Sequence, residues 1–456
     1  MDNAWLKYNN DDIDKLNKIC DGYKEFISNN KTERECVDEI INLIEKKGFK
    51  NLTDLMNSNT RINCGDKIYV NNRGKALALF IIGKDMFKNG INILGAHIDS
   101  PRIDLRANPV YEDDGFTYFD THYYGGIKKY QWVTIPLALH GIVVKKNLEK
   151  IKISIGEKEN DPVFGITDLL PHLAQEQLEK KANKVIEGEN LDILIGSKPL
   201  NKTKDSIKKN ILKILNDKYN ISERDFLSAE IEVVPAGHAR NFGLDNSMIM
   251  GYGQDDRVCA YTSLISFLDA KSTNKTISCI LVDKEEIGSV GSTGMQSSFY
   301  ETAIADICSL TDEDKQISVN RILSKSKMLS SDVNAAYDPL YREFMNKRNS
   351  SFFGQGMSFC KFTGSGGKSG SNDANAEYIA KLRKILDEDN VAYQFSELGK
   401  VDIGGGGTIA YILANKNVEV IDSGVAVLNM HAPWEITSKS DIYESYKGYI
   451  TFLTKC

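Results

Sequence analysis

Two nearly unbroken apolar runs end in clusters of polar side chains. They are INILGAHIDS, residues 91–100, and TISCILVDKEE, residues 276–286. A strand that is apolar on both faces is covered on both faces, which is typical of a parallel sheet. Both runs therefore predict buried strands that deliver polar side chains at their carboxyl ends, where open α/β sheets bind ligands.

Helix patterns alternate with strand patterns over most of the chain. Apolar residues spaced by three and four positions predict helices within residues 11–48, 255–270, 374–390 and 439–456. Further strands are predicted at residues 67–72, 76–83, 327–332 and 418–435. This alternation predicts an α/β sandwich with a mostly parallel sheet.

The segment from residue 107 to residue 235 has a different character. It contains alternating, antiparallel-type strand patterns and then a charged helical tract at residues 202–219. We therefore predict an inserted, mainly-β domain at residues 107–235, flanked by the two parts of a catalytic domain, residues 1–106 and 236–456.

Composition argues against several classes of partner. The 456 residues carry a formal net charge of −6, which gives no electrostatic footprint for nucleic acid or for an anionic membrane. No apolar run reaches the roughly 18–20 residues of a membrane span, and the first residues lack a secretory apolar region. The eight cysteines form no C-x-x-C pair, which favours reduced thiols. We expect a cytoplasmic protein without nucleic-acid or membrane partners.

Histidine and acidic residues stand where predicted strands end or predicted helices begin. The set comprises His97, Asp99, Asp255, Asp256, Glu285, Glu286, Asp332 and His431. Imidazole and carboxylate ligands suit zinc and related divalent cations. Five ligands are too many for one catalytic zinc, so the set predicts two ions about 3.5–4 Å apart that share a carboxylate. The predicted ligands are His97, Asp255 as the bridge, Glu286, Asp332 and His431.

The adjacent glutamates can divide two roles. Glu286 is predicted to bind a metal ion, and Glu285 to act beside the activated water as general base and then as acid. Two buried carboxylates would otherwise repel each other. Asp99 is predicted to fix the tautomer of His97. Taken singly, each feature also has a structural interpretation, as a surface pair, a helix cap or a core histidine, and only the combination favours a site.

Two glycine-rich stretches are weaker candidates for substrate contacts. DIGGGGTIAY, residues 402–411, offers backbone amides to a substrate, so Gly406 and Thr408 are candidate substrate-binding residues, although a plain tight turn also explains it. TGSGGKSGSN, residues 363–372, resembles a phosphate loop but has Phe362 where that motif needs glycine. Lys368 is a candidate cation facing the pocket, or else a solvated lysine.

Six motifs together resemble the aspartyl aminopeptidase family of dinuclear metallopeptidases. They are GAHIDSPRIDLR, YGQDDRVCAY, LVDKEEIGSVGSTGM, SSDVNAAYDP, GGGGTIA and LNMHAPWE, in that order along the chain. The resemblance implies a phosphorylase-like, three-layer α/β domain interrupted by a dimerisation domain, with dimers building a dodecameric cage. It also implies removal of the N-terminal residue from peptides by two divalent ions, with zinc expected and cobalt or manganese possible.

The resemblance also implies a role for each candidate residue. His97 and Asp332 would bind one ion, Glu286 and His431 the other, and Asp255 both. Glu285 would be the general base, and Asp99 the partner of His97. The alternatives are a related metallohydrolase, such as a carboxypeptidase or an amide deacylase, and a non-catalytic assembly or cargo protein that keeps the fold.

One departure from the family pattern concerns substrate preference. Acid-specific relatives carry a histidine before the LVP of the insertion, where it helps to build a neighbouring subunit's pocket. In this chain the stretch reads DLLPHLAQ, with Asp168 at that position and His172 displaced. A carboxylate there would repel an acidic side chain, so neutral or hydrophobic N-terminal residues remain open alongside acidic ones.

Overall fold

A computed structural model describes residues 3–85, 87–271, 274–311, 318–365 and 369–456. Contacts within the chain define two compact units. The first comprises Met1–Asp99, Ala239–Met430 and Glu435–Cys456, and the second comprises Ser100–His238 and His431–Trp434. The predicted boundary at residues 106/107 lies seven residues after the first division and that at 235/236 three residues before the second, and the role of each part as a domain stays a prediction.

The secondary structure follows the predicted alternation. The helices of the described residues are α1 (Asn10–Asn29), α2 (Glu33–Glu45), α3 (Leu52–Asn57), α4 (Gln175–Leu178), α5 (Ser206–Tyr219), α6 (Gln254–Asp269), α7 (Phe299–Ser309), α8 (Val319–Leu323), α9 (Ala376–Glu388), α10 (Ala410–Ala414) and α11 (Lys439–Lys455). The first ten strands are β1 (Lys50–Asn51), β2 (Lys67–Asn72), β3 (Ala76–Ile81), β4 (Ile91–His97), β5 (Arg102–Asp113), β6 (Phe116–Tyr124), β7 (Leu137–Val144), β8 (Lys150–Ile155), β9 (Ile193–Gly196) and β10 (Ala229–Pro235). The others are β11 (Arg240–Phe242), β12 (Met248–Gly251), β13 (Thr276–Val282), β14 (Lys327–Ser331), β15 (Asn334–Ala335), β16 (Met357–Cys360), β17 (Tyr393–Ser396), β18 (Glu419–Gly424), β19 (Ala426–Leu428) and β20 (Glu435–Ser438).

The first unit is built on a sheet with the order β1-β2-β3-β13-β4-β14-β18-β16-β17. Its centre, β13-β4-β14-β18, is parallel, whereas β3 beside β13 and β16 beside β18 run antiparallel. Every residue of β4 and β13 is buried, which confirms that the two apolar runs form covered central strands. A smaller sheet, in the order β11-β12-β20-β19-β15, completes this unit.

Successive side chains of the central strands enter two separate cores. Leu94 of β4 and Cys279 of β13 belong to one apolar cluster, while Ile93 and Ile280 belong to the other. Because side chains alternate between the faces of a strand, one core lies on each face of the sheet. Residues of α1, α2, α6 and α11 fill the first core, and residues of α7, α8 and α10 fill the second. The three-layer α/β fold predicted from the sequence is therefore confirmed.

The second unit contains an antiparallel sheet in the order β8-β7-β10-β5-β6-β9. This agrees with the alternating strand pattern of the insertion. The charged tract at residues 202–219 forms α5. In neither unit does the described part of the chain contain a helix with the length and apolar character needed to cross a membrane.

Candidate metal centre

Three central strands of the first unit end at the same edge of the sheet. β4 ends at His97, which pairs in register with Val282 at the end of β13. On the other side of β4, β14 ends at Ser331, and Asp332 follows it directly. Parallel strands bring their carboxyl ends together, so side chains far apart in sequence meet at this edge.

His97 lies at the centre of this group and has carboxylates on both ring nitrogens. Its Nε2 atom is 3.2 Å from Oδ1 of Asp255 and 3.9 Å from Oε2 of Glu285. Its Nδ1 atom is 3.0 Å from the backbone oxygen and 3.3 Å from Oδ1 of Asp99. Because Nδ1 faces the acceptors of Asp99, its proton would stay in place when a cation replaces the proton at Nε2.

Two groups of donor atoms in the first unit have the spacing of a metal site. The ligand atoms of His97, Asp255 and Asp332 lie within 4.8 Å of one another, and so do those of His97, Glu285 and Glu286. One imidazole with several carboxylates is a donor set that zinc, cobalt and manganese accept. His97, Asp255 and Asp332 are largely buried. A cation would offset the repulsion between these carboxylates, so the residues fit a metal ion.

The protonation energetics support the same conclusion. Burial raises the pKa of Asp332 well above its usual range, and the neighbouring Asp256 adds to the effect. Burial also raises the pKa of Asp256. Burial alone would lower the pKa of His97, but hydrogen bonds to Asp255 and Asp99 outweigh it and hold that pKa well above its usual range. The cluster thus attracts positive charge, whether from protons or from a metal ion.

Asp99 has a second function that the sequence pattern did not indicate. Its Oδ1 and Oδ2 atoms accept hydrogen bonds, each of 3.2 Å, from the backbone amides of Glu285 and Glu286. The two glutamates lie in a 3-10 turn, Glu285–Ile287, entered from Lys284 in the left-handed region at φ +69°. One buried carboxylate therefore orients both the His97 ring and the turn that carries the glutamates.

The start of α6 supplies two aspartates with different surroundings. The Asp255 amide donates to Oε2 of Glu435 at 3.2 Å, and Asp256 Oδ2 accepts from the His97 amide at 3.3 Å. Glu435 is 1 % exposed. Glu435 was not identified from the sequence, although it ends the motif LNMHAPWE, and the structure places it at the start of β20.

His431 lies in the short segment that groups with the second unit. The predicted strand at residues 418–435 is divided into β18, β19 and the start of β20, so His431 follows β19 by three residues and has a φ of +65°. Its Nδ1 atom is 2.8 Å from the carbonyl oxygen of Gly126. This hydrogen bond assigns the ring proton to Nδ1 and leaves Nε2 as the acceptor.

The predicted substrate contacts lie on the segment before α10. The Gly406 carbonyl accepts from the Gly364 amide at 2.7 Å, and the Thr408 hydroxyl accepts from the Ala410 amide at 3.2 Å. Lys368 lies outside the described residues. In the second unit, Asp168 Oδ1 accepts from Gln177 Nε2 at 2.9 Å.

A neighbouring glycine determines the backbone position of Asp332. A Cβ atom added at Gly424 would lie 2.1 Å from the Asp332 carbonyl oxygen and 2.8 Å from Cys259 Sγ. We expect Gly424→Ala to lower stability by about 1–3 kcal/mol, as overpacking does, and to reduce bound metal. Thermal unfolding and metal analysis check this. Gly165→Ala is the control, because its Cβ would meet the Ile135 oxygen at an ordinary 3.6 Å. Equal effects of the two substitutions would contradict the prediction.

Comparison with known proteins identifies the family of the chain. The family model described as "Aminopeptidase I zinc metalloprotease (M18)" matches residues 26–453. A "Probable M18 family aminopeptidase 1" from Clostridium acetobutylicum is 59% identical over 453 residues, covering 99% of this chain and 97% of the relative.

Solved structures show the same fold over the whole chain. The crystal structure of aminopeptidase I from Clostridium acetobutylicum is 58% identical with a TM-score of 0.92, and covers 100% of this chain and 99% of that one. The M18 aminopeptidase from Thermotoga maritima is 43% identical with a TM-score of 0.94 and the same coverage. A structure of the yeast mApe1 dodecamer, 20% identical with a TM-score of 0.76 and covering 95% and 96% of the two chains, shares the fold.

The resemblance inferred from the motifs is confirmed, and so is the enzyme class that it implies. The chain belongs to the M18 family of zinc metalloproteases and is a metal-dependent aminopeptidase.

Proposed function

We propose that the enzyme removes the N-terminal residue of peptides at a centre for two divalent ions. His97 and Asp332 would hold one ion, Glu286 and His431 the other, and Asp255 both. The observation that carries this proposal is the position of His97, whose Nε2 lies 3.2 Å from Asp255 while Asp99 occupies its Nδ1 side. A histidine oriented in this way is ready to bind a cation.

The two ions would be zinc, since the family is one of zinc metalloproteases. Cobalt and manganese also suit a site rich in carboxylates, where availability decides between metals. When bound, divalent ions lower the pKa of water and polarise a carbonyl group.

Glu285 would carry the proton transfers. Its carboxylate accepts a proton from the water whose oxygen attacks the scissile carbonyl carbon. When the C–N bond breaks, Glu285 returns that proton to the leaving nitrogen. Asp99 would set the position of Glu285 through the 3.2 Å hydrogen bond from its amide. Substrate amides would then meet the glycine-rich segment containing Gly406 and Thr408, with Lys368 as a further candidate contact.

The preference of the enzyme for the side chain of the N-terminal residue is part of the same proposal. Asp168 stands where acid-specific relatives have a histidine, and a carboxylate at a substrate pocket disfavours an acidic side chain. A neutral or hydrophobic first residue is therefore favoured over an acidic one.

We further propose that the chain assembles with itself, as dimers that build a larger, dodecameric cage. The support is the family membership and the dodecameric structure of the yeast relative mApe1. Residues 107–235 would form the dimerisation domain.

A cytoplasmic location fits the finding that no disulfide joins cysteines in the described part of the chain.

A pair of substrates distinguishes this proposal from the alternative hydrolases. We expect the enzyme to cleave an aminoacyl p-nitroanilide with a free amine, and to cleave its N-acetylated form at least about a hundredfold more slowly, because the amine anchors the substrate. Initial rates are measured on p-nitroanilides of acidic, neutral and hydrophobic residues, each with a free and with an acetylated amine. They give the preference for the side chain and the preference for a free amine. Preference for the acetylated series would indicate an amide deacylase, whereas no cleavage of either series, with release of the C-terminal residue from an N-acetylated dipeptide, would indicate a carboxypeptidase.

A further inference from the structure

Gln254 carries a buried carboxamide that the proposed mechanism does not use. It is the first residue of α6, directly before the proposed bridging ligand Asp255, and it is 0 % exposed. Its Nε2 atom donates to the carbonyl oxygen of Ile249 at 3.0 Å and to that of Glu435 at 2.6 Å. Both hydrogens of the amide are therefore used within the protein, which fixes the position of this side chain.

The two acceptors of Gln254 belong to neighbouring strands of the smaller sheet. Ile249 lies in β12, and Glu435 is the first residue of β20. The two strands pair antiparallel, with Gly251 opposite Glu435. One side chain thus joins the start of α6 to both strands, and the start of the helix cannot shift along the sheet without breaking these hydrogen bonds.

Asp255 is held by the same residue of β20. Its amide donates to Glu435 Oε2 at 3.2 Å, while the Glu435 carbonyl accepts from Gln254. Asp255 has a φ of −78° and a ψ of 105°, outside the helical region, and no side chain of the described residues caps α6 at Gly253. Because helical geometry does not support this turn, the contacts with Glu435 hold Asp255 where its Oδ1 atom lies 3.2 Å from His97 Nε2.

Helix α1 provides a third partner for the Gln254 carboxamide. Tyr23 of α1 is 0 % exposed, and its hydroxyl donates to Gln254 Oε1 at 3.2 Å. The carboxamide therefore has a donor on its oxygen side and two carbonyls on its nitrogen side. Only one of its two flipped orientations satisfies all three partners, so the Tyr23 hydroxyl helps to select that orientation across 231 residues of sequence.

We propose that Gln254 is a positioning residue that holds the bridging carboxylate of Asp255 in place, and that Tyr23 fixes the orientation of the Gln254 carboxamide. The inference rests on the proposed function, in which Asp255 binds both ions. Gln254 and Tyr23 are not proposed ligands and contact no reacting atom. Outer partners of this kind orient the ligands of a metal, and their loss typically costs about 10–100-fold in metal affinity.

The first test removes the Tyr23 hydroxyl alone. Tyr23→Phe keeps the ring, and we expect it to raise the Kd for zinc about threefold, in the range of one neutral hydrogen bond. Tyr443→Phe is the matched control, because the Tyr443 hydroxyl also anchors α1, by donating to Asp12 Oδ1 at 3.0 Å, but has no contact with Gln254. This control should leave the Kd unchanged. Competition between the metal-free protein and a chromogenic chelator for zinc measures both values.

The second test removes the carboxamide. Gln254→Met keeps the length of the side chain without its polar atoms, and it should raise the Kd for zinc at least about tenfold. Adding Tyr23→Phe to this variant should raise the Kd little further, because the hydroxyl acts through the carboxamide. The visible absorption spectrum of the cobalt-loaded protein, which depends on ligand geometry, should change in Gln254→Met and stay the same in Tyr443→Phe. Tm is measured alongside, to separate loss of metal affinity from unfolding.

These measurements can overturn the positioning role. An unchanged Kd for zinc in Tyr23→Phe, an equal rise in Tyr443→Phe, or additive effects in the double variant would do so. If Gln254→Met does not fold, the contrast between the two tyrosine variants decides. Failure of the proposed function would appear elsewhere, as a wild type that does not cleave the free-amine substrate or as an Asp255→Asn variant with unchanged metal content. The two failures are therefore distinguishable.

Discussion

Glu285→Gln is expected to lower kcat by at least about a hundredfold, because general-base transfer contributes roughly 10²–10⁴ to rates. The amide keeps the size of the side chain but cannot accept the proton of the attacking water. The backbone amide of residue 285 would still donate to Asp99, since the side chain is not part of that 3.2 Å hydrogen bond. We therefore expect bound metal and Tm to remain at the wild-type level.

The neighbouring glutamate provides the matched control. Glu286→Gln changes the same functional group in the same 3-10 turn, but it removes a proposed metal ligand. It should lower metal content as well as activity, whereas Glu285→Gln should lower activity alone. Metal analysis and steady-state kinetics on both variants measure the contrast. Metal loss in Glu285→Gln with full occupancy in Glu286→Gln would reverse the assigned roles, and full activity in Glu285→Gln would end the proposed mechanism.

Removing the metal is expected to abolish activity and to make stability depend strongly on pH. Activity should fall at least about a hundredfold after chelation and return with zinc, cobalt or manganese, since metal stabilisation of a transition state is worth several kcal/mol. Kinetics before chelation, after it and after re-addition of each ion measure this effect. Activity that survives complete removal of metal would contradict it.

The pH dependence follows from the buried groups. Burial raises the pKa of Asp332 and of Asp256, and Asp255 and Asp99 keep the pKa of His97 high despite its burial. All three groups hold protons more tightly in the folded chain than in the unfolded chain. As pH rises above the unfolded aspartate value of about 4, the unfolded chain loses protons first, so the free energy of unfolding of the metal-free protein falls.

The fall in the free energy of unfolding with rising pH can be measured. The Tm of the metal-free protein should fall between about pH 5 and pH 8, and the gain in Tm on adding zinc should grow over the same range. The metal-loaded protein, scanned in the same buffers, is the control for titrations elsewhere in the chain. A gain that is independent of pH, or a metal-free Tm that rises, would contradict the assignment of these groups to the metal centre.

Helices and strands that have a local pattern of apolar residues could be predicted from the sequence. The mainly apolar runs that became β4 and β13 carry no charged residue before their ends, and the buried residues of α1, α2 and α9 are spaced mostly by three and four positions. Thr32 and Glu35, which have the residue types and the spacing of a capping box, form that box at the start of α2. Because parallel strands end at a common edge, the proximity of His97 and Asp332 could be anticipated without any knowledge of distances.

Contacts that depend on tertiary geometry could not be anticipated in this way. The spacing of Asp99 from His97 indicates a carboxylate near the ring, but not the hydrogen bonds from the amides of Glu285 and Glu286, which lie 186 and 187 residues away. The Asp255 amide meets Glu435 across 180 residues. No periodicity in a single sequence encodes a contact between a side chain and a distant backbone.

The divided first unit has a consequence for synthesis on the ribosome. β4 is made early, but its parallel neighbours β13 and β14 come nearly two hundred residues later or more, and α11, which fills the same core, comes last. Until then β4 lacks both of its strand neighbours, and unpaired apolar strands are prone to self-association. We therefore expect chaperones to bind a nascent chain for longest at its N-terminal strands. We also expect the chain to have no peptidase activity until translation is nearly complete.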